Sequence, residues 1–147
     1  MYRILILVHV LAATVWVGGH LVLSLTILPR ALRERDPAII RQFEDGYERI
    51  GIPALVIQVL TGLLLAYHWA PDVASWFRPA TLQASLIAAK LGLLALTVAL
   101  AAHARLKIIP ALDAKTLRPL AVHIIAVTTI GVLMVVLGVA IRTGWLL

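Results

Sequence analysis

Five histidines and one lysine are the side chains of this sequence best suited to chemistry. His9 and His20 lie in one apolar stretch, residues 4–28, that contains no acid, lysine or arginine. Eleven residues make about three helical turns, so a helix places both imidazoles on one face, about 16 Å apart along its axis. Trp16 falls near the same face. Because polar side chains avoid lipid, this face predicts a site inside a bundle that holds a metal or a metal cofactor.

The composition indicates an integral membrane protein. The 147 residues are 62% hydrophobic and 14% charged, whereas soluble domains are about 45–50% apolar. Mean hydropathy is +1.00. The net charge of +6 arises mainly in two loops, which indicates membrane topology and not a nucleic-acid partner. Because the chain has no cysteine, thiolate metal sites and covalent haem are excluded, which leaves histidine as the main ligand, with Lys, Tyr and Met as further candidates.

Four apolar segments predict the fold, because each is long enough to cross a bilayer. They are residues 4–28, 50–70, 81–104 and 119–141. We therefore predict an all-α fold, an up-down four-helix transmembrane bundle that forms a single domain over residues 1–147. Pro29 is expected to end the first helix, and Asp36-Pro37 to begin a short surface helix. The first segment is too long for a signal-peptide core, so we expect it to remain as a helix.

The positions of lysine and arginine predict the orientation. Nine bases flank the first and third connections and three lie on the opposite side, so both termini are expected outside, in a bacterial inner membrane. The nine are Arg30, Arg33, Arg35, Arg41, Arg49, Arg105, Lys107, Lys115 and Arg118. The bilayer is thus the first expected partner. An outer aromatic belt is expected from Tyr2, Tyr67, Trp69, Trp76 and Trp145.

Depth along the predicted helices sorts the histidines into two sets. At 1.5 Å per residue from the helix midpoints, His9 and His68 fall in the outer half, with Lys90 near the depth of His9. The inner set is His20, His103 and His123. Two imidazoles at similar depth on different helices suit a haem with two axial ligands, and they equally suit a copper ion.

Each of these residues also has an ordinary explanation. His68 and His103 lie near helix ends, where an imidazole can sit among lipid headgroups, and Lys90 can extend toward the interface. Otherwise Lys90 would be a ligand, a proton carrier or the partner of a haem propionate, because the apolar segments contain no carboxylate. Trp16 would either stack on a porphyrin or belong to the core.

Two motifs near the amino terminus resemble known membrane families. HVLAATVWVGG at residues 9–19 and LPRAL at residues 28–32 resemble the opening helix of the copper-resistance protein D (CopD) family. They are also similar to the HemJ-type protoporphyrinogen oxidases. YERIGIPALVIQVLTGLLL at residues 47–65 and AKLGLLALTVALAAH at residues 89–103 extend the resemblance over the first three helices.

The two families imply different chemistry. Resemblance to HemJ implies haem b and protoporphyrinogen oxidation, with His9 and Lys90 as essential residues. Resemblance to CopD implies copper uptake or tolerance. The chain departs from HemJ in having His20 and in a longer spacing between the glycine pair and Pro29. Four-helix di-haem b cytochromes, which exchange electrons with quinone, resemble the chain in architecture only.

We interpret the chain first as a b-type haem protein that transfers electrons in the membrane, which would make it a membrane oxidoreductase. An outer haem would use His9 with His68 or Lys90, and a second haem two of the inner set. Quinone or porphyrin is the expected small partner, and a second copy or a redox protein the expected protein partner. The alternatives are a CopD-like copper-binding or copper-transport protein, a HemJ-like oxidase and a helper subunit without a cofactor.

Overall fold

Helices account for nearly all of the structure, a computed structural model that describes residues 1–78, 80–113 and 115–144. The α-helices are α1 (Tyr2–Val22), α2 (Leu28–Glu34), α3 (Ala38–Trp69), α4 (Leu82–His103) and α5 (Leu117–Thr143). π-helical turns cover Leu23–Ile27 and Ala104–Ile108, and 3₁₀ turns cover Val73–Trp76 and Ile109–Ala111. Four helical stretches are long and apolar enough to cross a membrane. The predicted all-α, four-helix membrane fold is confirmed.

Pro29 does not end the first helix, contrary to the prediction. The chain continues from α1 through the π-helical turn at Leu23–Ile27 into α2, and Pro29 lies in the first turn of α2. A proline inside a helix removes one N–H from the hydrogen-bond ladder, and here the π-helical turn Leu23–Ile27 lies directly before it, so the chain stays helical through Pro29. The helix ends only where Arg35 adopts a left-handed conformation with φ of 55°.

The short surface helix predicted after Asp36-Pro37 is the beginning of α3. Asp36 Oδ1 accepts a hydrogen bond from the Ala38 N–H at 2.8 Å, and α3 then continues without interruption to Trp69. The polar residues of its first turns have partners on other elements. Arg41 Nη2 donates to the Leu112 carbonyl at 2.7 Å, and Glu48 pairs with Arg105 of the second π-helical turn.

The packing order places α1 in the middle. It lies against both α3 and α5, and α4 packs on α5. We call the end that contains α2 and the 104–118 connection the basic end, and the end with Tyr2 and Trp69 the aromatic end. The main apolar cluster lies at the basic end around Ile40, Leu117 and Leu120, the most deeply buried large side chains.

The aromatic end is joined by hydrogen bonds between aromatic side chains and the chain. Trp69 Nε1 donates to the Tyr2 hydroxyl at 2.9 Å. Trp76 is buried and its Nε1 donates to the Ala70 carbonyl at 2.9 Å, so it closes the turn between α3 and α4 and does not face the surroundings. Trp145, also assigned to this belt from sequence, lies outside the described residues.

Candidate functional site

His9 projects from α1 onto α3. Its Nδ1 lies 2.9 Å from the Thr61 hydroxyl. The Thr61 hydroxyl proton is directed to the Ile57 carbonyl at 2.6 Å, so Thr61 accepts from His9 and Nδ1 carries the ring proton. Gly62 makes room for the ring, since a Cβ there would come within 3.1 Å of His9 Cε1. The His9 Nε2 lone pair is therefore left as an acceptor or ligand.

His20 lies in a nest of aromatic rings on the same side of α1. Its Nδ1 is 3.0 Å from the Trp16 carbonyl, which can only accept, so the Nδ1 proton is again engaged and Nε2 is left with the lone pair. Its ring centroid lies 4.5 Å from that of Trp16 and 6.1 Å from that of Tyr47. As their spacing of eleven residues predicts, His9 and His20 both face α3.

Tyr47 of α3 positions this segment and was missed by the sequence reasoning. Its hydroxyl donates to the carbonyls of Val15 and Trp16, at 3.1 and 2.9 Å. The ring fits against α1 only because residue 19 is glycine, since a Cβ there would overlap the tyrosine ring. Gly18-Gly19 was the available signal, because paired glycines in a membrane helix indicate close approach by a neighbouring helix.

His103 and His123 are the two histidines that the fold brings into direct contact. His103 Nδ1 lies 2.9 Å from His123 Nε2, and His123 Nδ1 lies 2.9 Å from the Pro119 carbonyl. That carbonyl can only accept, so His123 Nδ1 carries the proton and the facing Nε2 accepts from His103. Both residues belong to the predicted inner set, and their assignment as ligands stays a prediction.

The other predicted pairs are farther apart. Thr128 Oγ1 donates to the His20 carbonyl, and Thr128 is five residues, about 7.5 Å of helix, from His123. His68 is seven residues beyond Thr61 on α3, about 10 Å along the axis from the level of His9. It is exposed and stacks on Tyr2 with ring centroids 4.5 Å apart. The ligand assignments of His20 and His68 stay predictions.

Lys90 and Gln58 are the unmatched polar groups of the aromatic half. Lys90 of α4 is half-buried, and its Nζ is 3.4 Å from the position of a Cβ at Gly138. Gln58 of α3 is only 8% exposed, and its buried Oε1 has no hydrogen-bond partner among the described residues. A buried acceptor without a donor is costly.

Trp16 is a core residue in this structure. It is 6% exposed, packs in an apolar cluster with Val17 and Val127, and lies against Gly131. Its indole is thus covered by His20 on α1 and by α5. The prediction that Trp16 contacts a cofactor is not tested by this packing and stays a prediction.

The histidines share one electronic arrangement that metal ligands commonly have. Nδ1 is engaged in a hydrogen bond to an oxygen for His9, His20 and His123, and His103 donates from Nδ1 to a neighbouring ring. In the neutral rings, Nε2 of the first two and of His103 thus bears the lone pair, and oxygen acceptors on Nδ1 are the usual orienting partners of ligating histidines. Within the described ranges, no group of three or more His, Asp or Glu side chains lies together as a metal site.

Four membrane-length helices with imidazoles at several depths define a multi-pass, histidine-bearing membrane protein. A family model described as copper resistance protein D matches residues 37–141. The chain therefore belongs to the copper resistance protein D family, which confirms the CopD resemblance. The match begins at α3, after the opening motif at residues 9–19. No curated protein and no solved structure matches the chain, and the HemJ resemblance stays a prediction.

Proposed function

We propose that this protein binds copper ions within the membrane and passes them across it. The observation that carries the proposal is the row of imidazoles at His9, His20 and His103, each with one ring nitrogen in a hydrogen bond and the other available to a ligand. Imidazole nitrogen is a good copper ligand. The family match to copper resistance proteins supports copper as the cargo.

The three nitrogens are distributed along the bundle axis. His9 lies in the aromatic half, His20 about 16 Å further along α1, and His103 at the end of α4 near the basic end. Few strong ligands at each level favour transit over permanent retention, because an ion that is to leave must not be enclosed by a full ligand set. The excess of lysine and arginine at the basic end supports a cytoplasmic location for that end, in a bacterial inner membrane with both termini outside.

Cellular copper measurement tests this proposal. Cells that express the wild-type protein are expected to differ from empty-vector cells in copper content and in growth on copper. His9→Ala and His20→Ala are expected to abolish the difference, whereas His68→Ala, which alters an exposed ring at the aromatic end, retains it. Equal copper content in wild-type and empty-vector cells, at matched protein levels, would overturn the proposal.

Binding of haem b, with electron transfer to quinone, is the second candidate. It is favoured by one observation: the Thr61 hydroxyl engages His9 Nδ1, so that Nε2 bears the lone pair that an axial ligand needs. Two axial nitrogens need a separation of about 4 Å to hold a metal between them. The His103–His123 distance of 2.9 Å is shorter than that, so these two rings would have to separate by about 1 Å to hold a metal between them, and the second axial ligand beside His9 would be His68 or Lys90.

Lys90→Leu separates the two candidates, because leucine supplies no ligand atom for copper or haem iron. If copper is the cargo, the ammonium opposes a cation at His9, and its removal is expected to increase copper bound by the purified protein. If haem b is bound through Lys90, the same change lowers haem per chain. An absorption spectrum of oxidised and dithionite-reduced protein reads the second outcome directly, since a Soret band with sharp reduced α and β bands reports six-coordinate haem. A colourless wild-type protein from haem-replete cells would remove the haem candidate.

A further inference from the structure

We propose that His103 and His123 form a two-coordinate site for monovalent copper at the basic end, between α4 and α5. The inference rests on the proposed function for the choice of copper, and its geometry stands on the contacts of the two rings. His103 is the last residue of α4, and His123 lies in the second turn of α5.

The two rings meet edge to edge. Their planes are inclined by 17° and their centroids are 5.0 Å apart, while the facing nitrogens are 2.9 Å apart. The distance between the two ring centroids is longer than the distance between the two facing nitrogens by nearly twice the radius of an imidazole ring. Both nitrogens therefore lie close to the line that joins the ring centres. The lone pair of His123 Nε2 therefore points along the axis that a linear nitrogen–metal–nitrogen unit requires.

One ring is held and the other is free to move. The Pro119 carbonyl accepts from His123 Nδ1 at 2.9 Å, the orienting contact that ligating histidines commonly have. His103 is exposed and is followed at once by the π-helical turn Ala104–Ile108. Two metal–nitrogen bonds need about 4 Å between the nitrogens, so His103 must withdraw by about 1 Å, which its exposed side chain permits.

The ligand set favours a monovalent ion. Both ligands are neutral imidazoles, and within the described ranges no third His, Asp or Glu joins them. The nearby Arg105 is paired with Glu48. Copper(I) has a filled d shell and accepts two ligands in a line, whereas zinc prefers four in a tetrahedron and copper(II) a tetragonal set.

Copper(I) can bind to this pair without a change of oxidation state and without net release of a proton. In the free site His103 donates its Nδ1 proton to His123 Nε2. When copper(I) takes the place of that proton, His103 changes tautomer through exchange with water, so that its proton resides on Nε2 and Nδ1 offers a lone pair. The metal then forms one bond to His103 Nδ1 and one to His123 Nε2, and the copper keeps its single charge.

Anaerobic titration of the purified full-length protein with copper(I), against a competing copper(I) chelator, tests the site. His103→Ala and His123→Ala are each expected to remove one copper(I) equivalent per chain. The double variant should lose no more than either single variant, because both ligands serve one ion. Gln83→Ala, at an exposed position of α4, is the control and should keep the wild-type stoichiometry. Wild-type stoichiometry in both single variants would overturn the site.

X-ray absorption of the wild-type protein loaded with one copper(I) provides a readout that needs no variant. Two nitrogen scatterers in the first shell are expected, and three or four first-shell ligands would overturn the two-coordinate assignment. The two proposals fail separately. Cellular copper effects without this site would leave the proposed function standing alone, whereas copper(I) binding here with no cellular effect would remove the transport proposal and keep the site.

Discussion

The two halves of the bundle differ in how completely their polar groups are paired. At the basic end, Tyr47, Arg41 and Arg105 each reach a partner on another element, and these contacts surround the main apolar cluster. In the aromatic half, the side-chain amide oxygen of Gln58 has no partner among the residues that the structure describes, and the described ion pairs do not include Lys90.

This difference distinguishes polar groups that hold the helices together from polar groups that are available to a ligand. Paired groups at the basic end join α3 to α1 and to the connection that follows α4. The unmatched groups near His9 carry a cost in the free protein that a ligand can remove. The aromatic half is therefore the region where we expect an arriving ligand to be bound first. The His103–His123 pair differs from the polar groups of both halves. Its rings are hydrogen-bonded in the free protein, and it accepts an ion only when that ion replaces the shared proton.

The largest expected effect tests the close packing of the basic half. Gly19→Ala would drive a Cβ into the Tyr47 ring and break the hydroxyl contacts to α1, at a cost of about 2 kcal/mol. Gly18→Ala is the matched control, because a Cβ there meets nothing within 4 Å, and the better helix former should stabilise by up to about 1 kcal/mol. Thermal unfolding in detergent measures both. Equal stability of the two variants would show that Tyr47 does not lie against Gly19.

A smaller effect, of opposite sign, is expected in the aromatic half. Gln58→Leu removes a buried carbonyl without a partner and keeps similar volume, so we expect stabilisation by about 1 kcal/mol. Gln83→Leu, at an exposed position of α4, should leave stability nearly unchanged. If the amide serves a passing ligand, Gln58→Leu should also lower copper accumulation in cells. Destabilisation by Gln58→Leu would mean that the amide is paired and that the two halves do not differ.

The smallest expected effect lies in the connection between α4 and α5. The backbone N–H of Thr116, with its hydroxyl, holds the pKa of the Asp113 carboxyl below its ordinary value of 3.8. A lowered folded-state pKa contributes stability above the unfolded-state pKa, and that stability is lost as pH falls through the folded-state value. Asp113→Asn should therefore flatten the decline of unfolding temperature below about pH 4. An unchanged acid profile would argue against this carboxylate cap.

Most of the architecture was predictable because it follows from local chemistry. Apolar length predicts the four spans. The boundaries were less predictable: Pro29 and the polar start of α3 were read as interruptions, although helices continue through both. The position of a proline within a helical turn, and the pairing of polar side chains with distant elements, decide whether a helix continues. Neither can be read from a short stretch of sequence.

The candidate site also has features that could be predicted from the sequence and features that could not. The spacing of His9 and His20 predicted their common face, because helical periodicity is set within one segment. The partners of these rings were not predictable. Thr61, Tyr47 and Pro119 are ordinary residues in sequence, and only the rotation and register of packed helices bring Thr61 and Tyr47 against the histidines of α1.

The sequence by itself determined the membrane class of this protein, its four spans and the common face of His9 and His20. Hydrophobicity and helical rise are local properties, which explains why these could be predicted. Only the tertiary structure decided that His103 faces His123, that His20 does not join them, and which nitrogen carries the proton in the four rings that form hydrogen bonds. Those facts depend on how one helix is turned and shifted against another, and that is set by side-chain packing between segments far apart in the chain.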